Sequence, residues 1–226
     1  MFVNGLCLGA TKEAAHTLTE AYAGDPLLNW CRGPKYEEFL YTLFKNMVHS
    51  TSLQSRDFAV QVEGCKGVLV WTNQPQGCPW PHVLNTAKLA SYIGWTATIR
   101  ALMKFQPACD KVRRRVMANY PHYITIGYVG VLPHEQRKGL GSALIEHVTD
   151  RADAAHHPIY VQVNDAKAIR FFEKFGFQVK ATVNVTGRKQ DLPVSLMVRE
   201  PVVTGDVSEP RPLRLRPGRQ HSNYSG

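Results

Sequence analysis

The segment between residues 124 and 142 constrains the fold of this 226-residue chain more than any other. A short apolar run ends at Val131, a turn with Pro133 follows, and Gly139 and Gly141 open an amphipathic helix. The free N–H groups of a helix start, together with the positive end of the helix dipole, form an anion site. The glycines let phosphate oxygens approach the backbone, because they carry no Cβ. The segment therefore predicts a strand, a phosphate-binding loop and a helix in direct succession.

Positive charge beside the glycines, from Arg137 and Lys138, indicates a diphosphate ligand. Two common phosphate loops do not fit. A P-loop requires a lysine after its second glycine, whereas Lys138 precedes Gly139, and the dinucleotide fingerprint requires a third glycine where this chain has Leu144. The run from Gln136 to Gly141, Gln-Arg-Lys-Gly-Leu-Gly, instead resembles the Gln/Arg-x-x-Gly-x-Gly/Ala signature of the GNAT superfamily of acetyl-CoA-dependent N-acetyltransferases.

A second motif follows at residues 159–177. A β-branched run gives way to Asn164 and Asp165, which are good helix caps, and a short helix closes at Gly176. The GNAT superfamily carries here a strand, a short helix of the pattern Asn-x-x-Ala-x-x-x-Tyr-x-x-x-Gly-Phe and a further strand, and the spacing matches from Asp165 to Phe177. The two motifs stand in the expected order, and the resemblance covers residues 121–199.

The resemblance implies an α/β (α+β) fold, the GNAT fold, with a mixed, mostly antiparallel central sheet of about six to seven strands flanked by helices. A helical insertion, with predicted helices at 85–105 and 108–118, precedes the central strand. Hydrophobic periodicity predicts strands at 2–8, 58–62, 68–71, 122–131, 159–163, 178–185 and 193–199, and longer helices at 11–23, 36–50 and 139–155.

Two short strings resemble the puromycin N-acetyltransferase branch of this superfamily. The strand end Val70-Trp71-Thr72 is similar to a Val-Trp-Thr-type strand end that precedes a helical block, and Asp25-Pro26 stands at a fitting place upstream. In that branch the helical block covers the substrate side.

Composition narrows the class of protein. No apolar run approaches the roughly 20 residues that cross a bilayer, and the N-terminal residues lack the basic region of a secretory signal. Five cysteines, without Cys-x-x-Cys spacing, indicate reduced thiols in a cytoplasmic protein and no metal site. The net charge of +9 comes partly from a Pro/Arg-rich tail without a nucleic-acid recognition motif. We expect one domain at residues 1–202, a disordered basic tail at 203–226, and neither a nucleic-acid nor a membrane partner.

The resemblance implies acetyl-CoA as the cosubstrate and assigns residues to it. In GNAT enzymes the central strand parts from its neighbour near a bulge, and the pantetheine arm binds exposed backbone there, at Val129, Gly130 and Val131 in this chain. Gly130 is consistent with the bulge or with a close backbone approach. The other residues expected to contact the cosubstrate are Gln136, Arg137, Lys138, Gly139, Leu140, Gly141, Ser142, Asn164, Asp165, Lys167, Ala168, Phe172 and Lys174.

The expected catalytic groups depart from the family pattern at two positions. Phe172 stands where the family usually carries a tyrosine that protonates the departing sulfur, and phenylalanine has no proton to give. Gln162 stands where the puromycin branch has a glutamate as candidate base, so it can orient an amine but cannot deprotonate it near neutral pH. Tyr128, on the central strand, could act as acid or base through water. The candidate catalytic residues are therefore Tyr128 and Gln162.

These features predict an acetyl-CoA-dependent N-acetyltransferase in which the primary amine of a small molecule, such as a toxin, antibiotic or metabolite, attacks the thioester directly. Two alternatives stay open: a protein or peptide N-acetyltransferase, and a non-catalytic acyl-CoA-binding module. The helical insertion favours an enclosed small-molecule pocket, whereas Gln162 and Phe172 favour the non-catalytic module. The oligomeric state does not follow from these patterns.

Overall fold

A computed structural model describes residues 1–30, 33, 35–73, 91, 92, 94, 106–186 and 191–202. Its centre is a sheet of seven strands: β1 (Val3–Gly5), β2 (Ala59–Val62), β3 (Gly67–Thr72), β4 (Ile124–Val131), β5 (Ile159–Val163), β6 (Gln178–Thr186) and β7 (Asp191–Arg199). Their order across the sheet is β1-β2-β3-β4-β5-β7-β6. Only β4 and β5 run parallel, and the other neighbours are antiparallel. The predicted mostly antiparallel sheet is confirmed.

Helices cover both faces of the sheet. In the described part they are α1 (Thr11–Tyr22), α2 (Pro26–Trp30), α3 (Tyr36–Gln54), α4 (Gln106–Val116), α5 (Leu140–Ala154) and α6 (Ala166–Glu173). The predicted helices at 11–23, 36–50, 108–118 and 139–155 are confirmed with small shifts at their ends. The sequence prediction ends a helix at Asp25-Pro26, but Pro26 also begins α2, at a position where its missing N–H costs nothing.

Two predictions fall largely outside the described residues. The predicted helix at 85–105 is described only at positions 91, 92 and 94, and the predicted tail at 203–226 is not described. The second helix of the insertion is α4. The first strand is shorter than predicted, since it covers Val3–Gly5 and a 3-10 turn follows at Leu8–Ala10.

β4 contains one extra residue at Gly127, and this bulge reverses the alternation of side chains along the strand. Tyr128 and Ile126 pair with consecutive residues of β3, so Gly127 between them has no partner there. An extra residue moves every later side chain to the opposite face. Ile126 and Val129 therefore pack in the same core although one number is even and the other odd.

β4 and β5 pair only over the first three residues of each strand. The parallel register joins Ile124 to Ile159 and ends where Ile126 meets Val161. β5 continues along β7, whereas residues 127–131 of β4 have no neighbour on β5. The two strands thus part at the bulge, as the sequence analysis predicts.

The side chains of the two sheet faces form separate cores. α5 and α6 pack on one face, where the predicted apolar stripe of α5 is buried, and α1 and α3 pack on the other. Burial of a large aliphatic side chain contributes about 1.5–3 kcal/mol, so this stripe holds the start of α5 firmly against β4. The stripe consists of Leu140, Leu144, Val148 and Ala152, each at most 1% exposed.

In the described part of the chain, no helix has the length and apolar character needed to cross a membrane. No group of three or more histidine, cysteine, aspartate or glutamate side chains within that part is placed to hold a metal ion.

An ion pair fastens β7 to α5. Nη1 and Nη2 of Arg199 donate to Oδ1 and Oδ2 of Asp153, each at 2.7 Å, and Arg199 is only 8% exposed. The hydrogen bonds from Arg199 lower the pKa of Asp153. A carboxyl group with a lowered pKa stabilises the fold above its unfolded pKa, and this stabilisation is lost as the pH falls through the folded pKa.

Asp153→Asn is therefore expected to lower the free energy of unfolding by about 2 kcal/mol at neutral pH, because it leaves the buried Arg199 without its anion. The difference from the wild type should shrink as the pH falls below the usual range of carboxyl groups. Urea denaturation across pH measures both effects. Asp150→Asn, an exposed change on the same helix, is the matched control, and an equal loss in both variants would contradict the prediction.

Candidate active site

The loop between β4 and α5 turns through two left-handed residues. Arg137 has a φ of +66° and Gly139 a φ of +85°. Nε2 of Gln136 donates to the carbonyl oxygen of Val131 at 3.3 Å, which ties the loop to the end of β4. A left-handed φ is strained for arginine and persists only where the surrounding structure enforces it. The loop thus places the start of α5 beside the parted strands.

The leading amides of α5 and its loop carry no internal partner. Among the described residues, none of the N–H groups of residues 139–142 donates to a protein acceptor, and Ala143 N pairs with Gly139 O at 3.0 Å. Four successive donors at the positive end of a helix form an anion site. The arrangement has the chemistry that a diphosphate requires. Leu140 and Ser142 take part through their backbone, and the Leu140 side chain is in the core.

The two basic side chains of the loop differ in their surroundings. Lys138 Nζ lies 2.8 Å from Glu135 Oε2, and this hydrogen bond lowers the pKa of Glu135. Arg137 is exposed and forms no ion pair within the described residues. Arg137 is therefore the charge more readily available to an incoming anion.

The two loop glycines differ in their surroundings. Around Gly139 there is open space, with only Met1 Cε at 3.9 Å from where a Cβ would stand, so its positive φ is what favours glycine. A Cβ at Gly141 would lie 3.4 Å from Cζ of Phe171 on α6, which is van der Waals contact, so packing does not require glycine there.

Val129 presents its backbone to a side chain from α1. The hydroxyl of Tyr22 donates to the Val129 carbonyl oxygen at 3.2 Å and accepts from the Val129 N–H at 3.4 Å. From the sequence we expect pantetheine at these backbone groups. In the structure a phenol holds them.

Gly130 is explained by packing against α1. A Cβ there would stand 2.8 Å from Ala21 Cβ and 3.0 Å from Leu18 Cδ2, which is too close. The predicted bulge at Gly130 is wrong, because Gly130 pairs regularly with Val68 and the extra residue is Gly127. The second predicted reason is a close backbone approach, whereas the atoms that exclude a Cβ here belong to side chains of α1. Val131 likewise pairs regularly in the sheet.

Tyr22 is enclosed by aromatic rings. Its ring centroid lies 5.3 Å from that of Phe44 and 5.7 Å from that of Tyr128. Burial raises the pKa of Tyr22 well above its usual value, and the nearby Asp25 carboxylate raises it further. The phenol therefore keeps its proton at every physiological pH.

Asp25, at the corner between α1 and α2, reaches across to the end of β5. Its Oδ1 accepts from the amide of Leu28 at 2.8 Å, which caps α2. Nδ2 of Asn164 donates to both carboxylate oxygens at 3.1 Å. Burial raises the pKa of Asp25 despite these hydrogen bonds. Asn164, predicted to contact the cosubstrate, thus contacts Asp25, and a half-buried carboxylate stands at the parted strands.

The two predicted catalytic side chains lie in different surroundings. The Tyr128 ring packs edge-on against Phe44, with centroids 5.1 Å apart. Gln162 is exposed, and its Nε2 donates to the hydroxyl of the buried Tyr160 at 2.8 Å. The Tyr128 ring therefore lies beside Tyr22, whereas the Gln162 side chain hydrogen-bonds to another residue of β5.

The predicted contacts on α6 divide into a cap, exposed cations and a core residue. Oδ2 of Asp165 accepts from the amide of Ala168 at 3.3 Å and so caps the helix. Lys167 and Lys174 are exposed. Phe172 is 4% exposed and packs on Phe177, with centroids 5.1 Å apart. Phe172 thus belongs to the hydrophobic core.

Tyr22 and Asp25 are the site residues that sequence reasoning misses. Both precede Pro26, in a stretch whose local pattern indicates only a helix and its end. Their position depends on contacts across more than 100 residues of chain, to Val129 and to Asn164. Local periodicity carries no signal for such contacts.

Comparisons with known proteins agree with this geometry. The family model described as Acetyltransferase (GNAT) family matches residues 57–177. The uncharacterized N-acetyltransferase C550.08 of Schizosaccharomyces pombe is 25% identical over 198 residues, which cover 84% of this chain and 79% of that protein.

Solved structures share the fold at lower identity. A histone acetyltransferase HPA2 and related acetyltransferase from Corynebacterium glutamicum has a TM-score of 0.61 and 19% identity, with 90% of this chain and 97% of that chain covered. The polyamine N acetyltransferase of Drosophila melanogaster has a TM-score of 0.58 and 19% identity, with 88% and 99% covered.

Proposed function

The chain belongs to the acetyltransferase (GNAT) family and is an enzyme of the N-acetyltransferase type, and from this premise we propose that it transfers the acetyl group of acetyl-CoA to the primary amine of a small molecule. The observation that carries the proposal is the row of four unpaired amides at residues 139–142, beside the place where β4 and β5 part.

The residues present fit acetyl-CoA. The diphosphate would accept hydrogen bonds from the amides of residues 139–142, with Arg137 supplying charge. The β4 edge beyond the bulge would hold the pantetheine arm. The thioester carbonyl would take the Val129 N–H, which then stabilises the oxyanion that forms when the amine attacks. The remaining assigned contacts, on α6 from Lys167 to Lys174, stay part of the proposal.

Asp25 is the group best placed to act on the amine. Its half-buried carboxylate attracts an ammonium ion; once this ion has lost one proton to water, the neutral amine attacks and passes a second proton to Asp25. A raised pKa makes a carboxylate a stronger base than it is in water. Asp25 thus acts as the base, a role that Gln162 cannot fill. Gln162 and Tyr128 remain candidates for orienting the substrate.

A small acceptor is supported by the cover over the parted strands. The corner from Tyr22 to Asp25 spans this opening and hydrogen-bonds both to β4 and to Asn164 after β5. Such a contact leaves little room for an extended peptide. The Drosophila enzyme that shares the fold is described as forming N acetylagmatine, a small acylated amine.

A non-catalytic acyl-CoA-binding module is the second candidate. It is favoured by Phe172, which is in the core and has no proton to donate.

Membership of the puromycin branch and a cytoplasmic location also remain proposals. The location fits the three free cysteines of the described part, Cys7, Cys65 and Cys109.

Thiol release decides between these candidates. Purified protein is mixed with acetyl-CoA and a panel of primary amines, free thiol is followed over time, and products are identified by mass spectrometry. We expect amine-dependent thiol release and a product heavier by one acetyl group. Calorimetry with CoA alone reports binding. Binding without turnover on any amine or peptide would favour the non-catalytic module, and turnover on peptides alone would contradict the small-molecule proposal.

A further inference from the structure

The Tyr22 hydroxyl occupies the reacting end of the site described above. It bonds to both backbone groups of Val129, at 3.2 and 3.4 Å, and the Val129 N–H is the donor proposed for the thioester carbonyl. The two cannot use this N–H at once. When the thioester binds, the phenol gives up this hydrogen bond while its enclosed ring stays beside β4. The hydroxyl then lies next to the atoms bonded to the carbonyl carbon.

The aromatic side chains around Tyr22 limit where its hydroxyl can lie. Phe44 and Tyr128 enclose the Tyr22 ring, with centroids 5.3 and 5.7 Å away, so the ring stays beside β4. The position on α6 where related enzymes carry a tyrosine holds Phe172, which is buried against Phe177. Within the described residues, Tyr22 is the side-chain hydroxyl that hydrogen-bonds to the Val129 backbone.

We propose that the Tyr22 hydroxyl protonates the departing CoA sulfur, in place of the phenol that position 172 lacks. The inference rests on the proposed acetyl transfer. The amine nitrogen bonds to the carbonyl carbon and passes its proton to the Asp25 carboxylate. The C–S bond then breaks, its electron pair stays on sulfur, and sulfur takes the Tyr22 proton to give CoA thiol. The proton on Asp25 returns to the Tyr22 oxygen through water, so both groups are restored.

Burial keeps the phenol protonated before each turnover but also makes it a weaker acid, so its position at the Val129 backbone is what supports this role. A hydroxyl with a purely structural purpose would also bridge Val129. The two roles differ in whether the acidity of the phenol enters the rate.

Tyr22→Phe tests the role without removing the ring. We expect kcat to fall about 100-fold, within the range for loss of a general acid. The Kd for CoA should stay within about threefold, which is a small change in binding free energy. Tyr41→Phe, a partly buried ring of the same core, is the matched control and should keep kcat within about twofold. Thermal unfolding of both variants reports whether the fold is retained.

The pH dependence separates an acid from a structural hydroxyl. Difluorotyrosine at position 22 lowers the pKa of the phenol and should introduce a fall of kcat at alkaline pH that the wild type lacks. An unchanged pH profile of kcat, or a Tyr22→Phe variant with wild-type kcat, would overturn the proposed role of Tyr22 but not the proposed acetyl transfer. Absence of amine-dependent thiol release in the wild type would overturn the proposed function and this inference with it.

Discussion

Replacing Gly139 with aspartate is expected to weaken CoA binding at least about 100-fold, which corresponds to about 2.7 kcal/mol. The new carboxylate would stand in the open space before α5, where the unpaired amides would otherwise receive the diphosphate. It would repel the anion and compete with it for the same donors. The left-handed φ of +85° adds backbone strain to any side chain there. Isothermal calorimetry with CoA measures the effect.

Gly64→Asp is the matched control for Gly139→Asp. Gly64 also has a positive φ, +63°, and no atom lies within 4 Å of the point where its Cβ would stand, so it receives the same charge and a similar strain in the turn between β2 and β3. We expect its CoA affinity to stay near that of the wild type. Equal affinity in the two variants would remove the anion-binding role of the loop before α5.

Asp25→Asn should reduce kcat about 100-fold or more with little change in the fold, because loss of a general base typically removes a factor of about 10²–10⁴. Asparagine can still cap α2, since it is as good an N-cap as aspartate. In the wild type, kcat/KM should fall on the acid side with a pKa above the usual value of an aspartate, as the direction of the Asp25 shift requires. This acid limb should vanish in the variant.

The thermal stability of Asp25→Asn should not fall together with its kcat. A carboxyl group whose pKa is raised on folding destabilises the fold wherever it is ionised, and the effect disappears once the pH is low enough to protonate it. Asp25→Asn should therefore unfold at the same or a higher temperature than the wild type at neutral pH. Asp57→Asn, an exposed change, controls for loss of a negative charge. Loss of activity together with a lower unfolding temperature would indicate a structural role for Asp25 instead.

The sequence predicts those parts of the fold that depend on neighbouring residues. The glycines at positions 139 and 141 and the apolar stripe of α5 lie in one continuous segment, so their spacing alone indicates a helix with a polar start. The caps at Asp165 and Gly176 mark α6 in the same way. The mixed, mostly antiparallel sheet of about six to seven strands follows from the resemblance of two such segments to a known family.

Features that depend on distant contacts could not be predicted in this way. Gly130 invites an interpretation as the bulge, but the side chains of α1 decide the matter, since they leave no room for a Cβ there. Gly127 is the extra residue of the bulge, and nothing in the neighbouring sequence distinguishes it from other glycines. Tyr22 and Asp25 likewise acquire their roles only when α1 crosses the open edge of β4.

The bulge at Gly127 makes the length of β4 as important as its composition. Deleting Gly127 would leave Ile126 opposite Trp71 and Tyr128 opposite Val70 in a regular ladder, so no side chain would change its face. Deleting Val129 instead, with the bulge kept, would move Val131 opposite Val68 and turn its side chain towards α1. A loss of one residue is therefore compatible with the two cores at the bulge itself, whereas a loss after it moves a partly buried side chain out of its core.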